Sequence, residues 1–153
     1  MSSARGKANH ALYLARILIA AWQRDSDARS VAATTLAQAY APAIREHLVT
    51  AYGWFLLEIT RPGSLPESPP RSLSELPDVA AGKALPGEIR EFHQLEQDGW
   101  IGDLLAFSTQ DASVPSAGNL AISVTGPGPD QAAGWADRLQ SLFDRMADSL
   151  DEY

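Results

Sequence analysis

The side chains in this chain that could do chemistry are few and scattered. There are three histidines, His10, His47 and His93, and no cysteine. A histidine metal site needs clustered ligands, such as a pair at i, i+4 or the Glu-x-x-His arrangement of di-iron bundles. No such pair occurs. His47 and Glu58 share one side of a helix, but eleven residues at 1.5 Å each set them about 16 Å apart. They cannot hold one ion together, so neither a metal nor a cofactor is expected. The lack of cysteine also removes disulfides, thiolate ligands and cysteine nucleophiles. Serine, histidine and aspartate are all present, yet no Gly-x-Ser-x-Gly elbow presents a nucleophile. Gly126-Pro127-Gly128 lacks the lysine and Ser/Thr of a phosphate loop, and its neighbouring prolines remove N–H groups that would cradle a phosphate. It reads as a turn into a helix. No catalytic set can be assigned.

One constellation merits a test. Arg45 projects near Tyr52 and Leu56, towards the apolar side of its helix, and His47, Ala51, Trp54 and Glu58 form a stripe beside it. An arginine so placed is either snorkelling or salt-bridged, or it is an anion contact in a cavity bordered by Tyr52 and His47. Arg45, His47, Tyr52 and Trp54 are therefore the candidate ligand-binding residues, for a small anionic or aromatic ligand. Arg5-Gly-Lys-Ala-Asn-His10 matches by spacing the Arg-x4–6-His motif of helical ribonucleases. That motif is short and here lies at a helix start in an acidic chain, so solvated polar residues are the preferred reading and nuclease activity the weaker alternative. Asp137, Ser141, Asp144, Asp148 and Asp151 form an acidic stripe. It reads as a solvated face, the alternative being a docking surface for a basic partner or for Arg5 and Lys7 of a second subunit.

The elements that must position these residues are helical. Ala8, Leu12, Ala15, Ile19 and Trp22 recur on one stripe of a first helix over about Ser3 to Arg24, which the polar run Arg24-Asp25-Ser26-Asp27 should break. A second helix is expected from about Ser30, as N-cap, to Thr60, with Ile44, Leu48, Ala51, Tyr52, Phe55 and Ile59 spaced three and four apart. Pro42 either kinks it or divides it, and the kinked single helix is favoured. Six of the ten prolines fall in a crossover over 61–87. Helical turns near Leu73 to Leu76 and Asp78 to Ala84 are expected there, with Leu65, Leu73, Leu76, Val79 and Leu85 holding the segment against the bundle. A third helix carries Ile89, Phe92 and Leu95, is interrupted at Asp98-Gly99, and resumes with Trp100, Ile101, Leu104, Leu105 and Phe107. Residues 119–125 could form a strand without an obvious partner. A fourth helix over about Asp130 to Leu150 has Ala136, Leu139, Leu142, Phe143, Met146 and Leu150 on one face. The fold class is all-α: a four-helix bundle-like single domain over 1–153 with a long Pro-rich crossover between helices two and three.

Composition narrows the partners. Nineteen acidic side chains against twelve basic ones give a net charge of −7. That disfavours nucleic acid and anionic lipid surfaces, both of which are bound through Lys and Arg. The apolar run Ile17 to Trp22 is too short for a signal peptide's apolar core of about 7–15 residues or a membrane span of about 20. A cytoplasmic protein with neither nucleic acid nor membrane as partner is expected. The apolar arc of helix two exceeds half a turn, which calls for burial by several neighbours or by another subunit.

Three stretches resemble a family of small bacterial helical proteins catalogued only as a domain of unknown function. They are Asn9-x2-Leu12-Tyr13 with Ala20-Ala21-Trp22, Leu95-Glu96-Gln97-Asp98-x-Trp100 with Leu104-Leu105, and Trp135 with Leu139 and Leu142. The resemblance spans most of the chain but omits the crossover. It implies a helical fold with no assigned activity and supplies no catalytic residues. The leading expectation is thus a non-enzymatic interaction or scaffold module, a homodimer with a possible unidentified protein partner. The alternative is a bundle binding a small anionic or aromatic ligand.

Overall fold

A computed structural model describes residues 3–60, 64–76, 87–107 and 128–151. Within them lie five α-helices: α1 (Ala4–Ala28), α2 (Ala33–Thr60), α3 (Gly87–Asp98), α4 (Trp100–Ala106) and α5 (Pro129–Asp151), with one 3-10 turn at Leu73–Glu75. No strand occurs among the described residues; the segment 119–125 lies outside them.

The Ser3 side chain caps α1, its hydroxyl oxygen accepting from the Gly6 N–H at 2.9 Å. The helix does not stop at Arg24 as the polar run suggests. It continues to Ala28 and ends where Arg29 turns left-handed at φ 54°. The added turn has tertiary support: Trp22 stacks on Tyr40 at 6.1 Å, and the Tyr40 hydroxyl donates to Asp25. Ser30 consequently lies in the connecting turn rather than capping α2, which starts at Ala33.

α2 runs unbroken through Pro42. Both Pro42 and Gln38, whose carbonyl loses its partner there, are on the exposed side, where water can take the missing bond. Every residue from 51 to 57 is buried. α1 packs along one side of this stretch through Ala8, Leu12, Ala15, Ile19 and Trp22, all buried. α5 contributes Phe143, whose ring stacks on Phe55 at 4.2 Å, and α3 contributes Phe92, edge-on to Tyr52 at 5.4 Å. The wide apolar arc of α2 is therefore covered within one chain.

The third expected helix is two. Gly99 ends α3, donating to the Leu95 carbonyl at 3.1 Å, and opens α4. A Cβ at Gly99 would meet Leu95 Cα at 3.0 Å, so the absence of a side chain permits the close approach at this break. Ile101 and Leu104 of α4 are fully buried, as are Ala136, Leu139 and Met146 of α5. Of the crossover leucines, Leu73 and Leu76 pack against the core, whereas Leu65 is exposed. Val79, Leu85 and the turn expected at Asp78 to Ala84 lie outside the described residues.

Candidate functional site

Among the described residues, the four side chains singled out from the sequence reach towards different neighbours. Arg45 donates from Nη2 to the Leu105 carbonyl at 2.7 Å, satisfying a carbonyl in the last turn of α4. Its Nη1 lies 3.7 Å from Glu46, while its Nε is buried without a partner. His47 is half-buried. Tyr52 is fully buried, with its ring on Phe92 and its hydroxyl donating to Glu96 of α3. Burial foremost, and then the Glu96 bond, push its ionisation far above the ordinary tyrosine range. Trp54 faces the other way, towards α1, with the Lys7 ammonium 4.8 Å from its ring centre. Beside it, Arg5 reaches Glu58 at 3.3 Å.

Around Arg45 and Tyr52 the structure assembles a site that was not anticipated. Residues 64–76 lie over the outer side of α2 as a strap. Pro70 is buried, and its carbonyl oxygen sits only 1.9 Å from where a Cβ at Gly53 would be. No other residue type leaves room for that approach. Arg71 then makes a two-pronged ion pair with Glu46, Nη1 to Oε2 at 3.0 Å and Nη2 to Oε1 at 2.7 Å. The Arg71 hydrogen bond holds the Glu46 carboxyl below its ordinary range. Two residues on, the Leu73 N–H donates to Glu96 Oε2 at 2.9 Å, the same oxygen that takes the Tyr52 hydroxyl bond. Glu96 thereby ties α2, α3 and the strap together.

Glu46, Gly53, Arg71 and Glu96 were missed from sequence. One signal was available: a glycine inside a strongly apolar helix costs about 1 kcal/mol against alanine, so it marks a close approach or a packing need. The carboxylates carried no comparable signal, because their partners lie 25 and 44 residues away in the chain.

A second feature is a shallow groove of about 290 Å³ between α4 and α5, lined by Trp100, Arg138, Ser141, Leu142 and Arg145 together with Asp137. Arg138 lies over the Trp100 ring at 5.9 Å, and Arg145 pairs with Glu91 at 2.9 Å. Asp137 of the acidic stripe pairs with Arg16 of α1 at 3.0 Å. Arg5 and His10, five residues apart, point about 140° apart around α1, and His10 is exposed. No group of three histidines or carboxylates among the described residues is placed to hold a metal ion. No described helix is long and apolar enough to cross a membrane.

No curated protein and no solved structure matches the chain. One family model does, across residues 1–153, and it is described as a family of unknown function (DUF6586).

Proposed function

The chain belongs to this family of unknown function, and we propose that it is a non-enzymatic protein-interaction module that self-associates as a homodimer through the outer ridge of α1. One observation carries the reading. Tyr13 and Ile17, one turn apart on α1, are 61% and 49% exposed, while the apolar stripe on the opposite side of that helix is buried. Residues four apart on a helix share a face, so the two side chains make one apolar ridge, and Ala20 extends it by a turn. Val31 and Leu65, the other large exposed apolar residues among those described, sit in a turn and in the strap. Exposed apolar side chains clustered on a rigid element suit a contact surface, whereas scattered ones need no explanation. The reading places the protein in the cytoplasm, which a chain without cysteine suits.

Sedimentation of the native chain should show a concentration-dependent dimer. A Tyr13→Ser, Ile17→Lys double variant should stay monomeric with unchanged helical circular dichroism. A native chain that remains monomeric up to millimolar concentration ends the proposal.

The groove at Trp100, Arg138 and Arg145 favours a second reading, binding of a small anionic or aromatic ligand, since it presents guanidinium donors beside an aromatic face. Perturbation of Trp100 fluorescence by such ligands is its test. Trp22, Trp54 and Trp135 are buried, so the signal is assignable.

A further inference from the structure

We propose that the outer face of α2 and α3 is a receptor for a Pro-Pro-Arg-x-Leu segment of a partner polypeptide, and that the chain's own strap occupies it in cis. The strap displays what the face recognises, position by position. Gly53 seats the Pro69-Pro70 pair: Pro70 is buried, and the Pro69 Cβ lies 3.0 Å from where the missing Cβ would be. Glu46 reads the arginine through two oxygens. Glu96, fixed by the Tyr52 hydroxyl, reads the backbone N–H of the position two residues further on. The leucine at that position packs against the core. On its N-terminal side the described residues 64–68 are all exposed, so burial begins at the segment that makes these contacts.

Charge and entropy both fit such a ligand. The receptor presents two carboxylates, Glu46 and Glu96, in a chain of net charge −7, and the segment brings a guanidinium and a free N–H. A Pro-Pro pair is already extended before it binds, so little conformational freedom is lost on docking. The surface is built from α2 and α3 and owes nothing to the Tyr13–Ile17 ridge, so failure of self-association would leave it standing.

The cis strap competes at an effective concentration on the order of millimolar, as short tethers do. A segment in trans therefore binds the native chain weakly and binds better when the strap is loosened. The test uses a labelled peptide with the sequence of residues 66–76, titrated with the full-length chain by fluorescence anisotropy. Arg71→Glu, which sets the strap's own anchor against Glu46, is expected to bind the peptide at least tenfold tighter than the native chain. Adding Gly53→Ala fills the proline seat and should weaken binding tenfold or more; circular dichroism should stay helical, because alanine is the better helix former. A peptide whose arginine is replaced by glutamate should bind tenfold or more weaker. Three results overturn the proposal: no saturable binding to either the native chain at millimolar peptide or the Arg71→Glu chain, equal binding of a scrambled peptide, or binding indifferent to Gly53→Ala.

Discussion

The two sides of α2 are covered in opposite ways. On its inner side α1 lays down a stripe of small and large apolar residues, Ala8, Leu12, Ala15, Ile19 and Trp22, and the neighbouring helices add Phe92 and Phe143. On its outer side a thirteen-residue strap is held, among the described residues, by one proline seat, one ion pair, one shared carboxylate and the partly buried Leu73 and Leu76. Dispersion and apolar burial on the inner side are the sum of many weak contacts, each worth about 0.1–0.2 kcal/mol per atom pair. The outer side depends on a few directional contacts, most of them partly in water and so individually modest. The inner side should therefore set global stability, and the outer side should open locally with little cost to the rest.

Phe55→Ala is the strongest way to break that contrast. The Phe55 ring is fully buried, stacks on Phe143 at 4.2 Å and meets Phe92 edge-on at 6.4 Å. Truncating it leaves a cavity that three helices cannot close, and a loss of about 3–5 kcal/mol is expected. Urea denaturation followed by circular dichroism measures it. A loss under about 1 kcal/mol would show that α2 is not the centre of the core.

Tyr52→Phe probes the point where the two coverings meet. The ring keeps its place against Phe92, but Glu96 loses the hydroxyl donor and, among the described residues, keeps the Leu73 N–H. A cost of about 1 kcal/mol is expected, the usual net value of one hydrogen bond. The expected signature is selective: amide exchange at Leu73 accelerates while the amides of α1 do not. Uniform acceleration across the chain would place Glu96 in the core's cooperative unit instead of in the strap's.

The same contrast explains what was legible in the sequence. Inner packing repeats every three to four residues, so the stripes of α1, α2 and α5 could be read residue by residue, and all of their described members are buried. The single course of α2 through Pro42 was favoured over a division there but not decided, because the stripe read for it, Ile44 to Ile59, lies wholly beyond the proline. Outer contacts have no period. Nothing near Glu46 announces Arg71, and nothing near Tyr52 announces Glu96. Arg45 and Tyr52 read as lying towards the apolar side and Trp54 on a stripe beside it, but a wheel gives a residue's direction and not its partner. The three side chains accordingly part towards α4, α3 and α1. Helix ends failed for a related reason. The polar run after Arg24 reads as a break on local propensity, and a ring stack and a hydroxyl bond reaching from Tyr40 override it.

The smallest expected effect is also the most selective, and it comes from pH. Hydrogen bonding to Arg71 lowers the Glu46 carboxyl below its ordinary value of 4.5, and Arg71 stays charged throughout. A carboxyl lowered in the folded state contributes its stabilisation above the unfolded value; that contribution fades as pH falls through the lowered value and is gone beneath it. The Glu46 side chain is 55% exposed, so solvent screens the pair. The consequence is a loosened strap, with the helical core still folded. Between pH 5 and pH 3 the protection factors of amides in residues 64–76 should fall in the native chain, while those of α1 and of buried α2 hold. Arg71→Ala should show a smaller fall from a lower starting point. Raising the salt to 1 M should shrink the difference between the two proteins, since the Debye length drops to about 3 Å. Equal falls in the two proteins would mean that the Arg71–Glu46 pair does not hold the strap, leaving the Gly53 seat and Glu96 as its anchors.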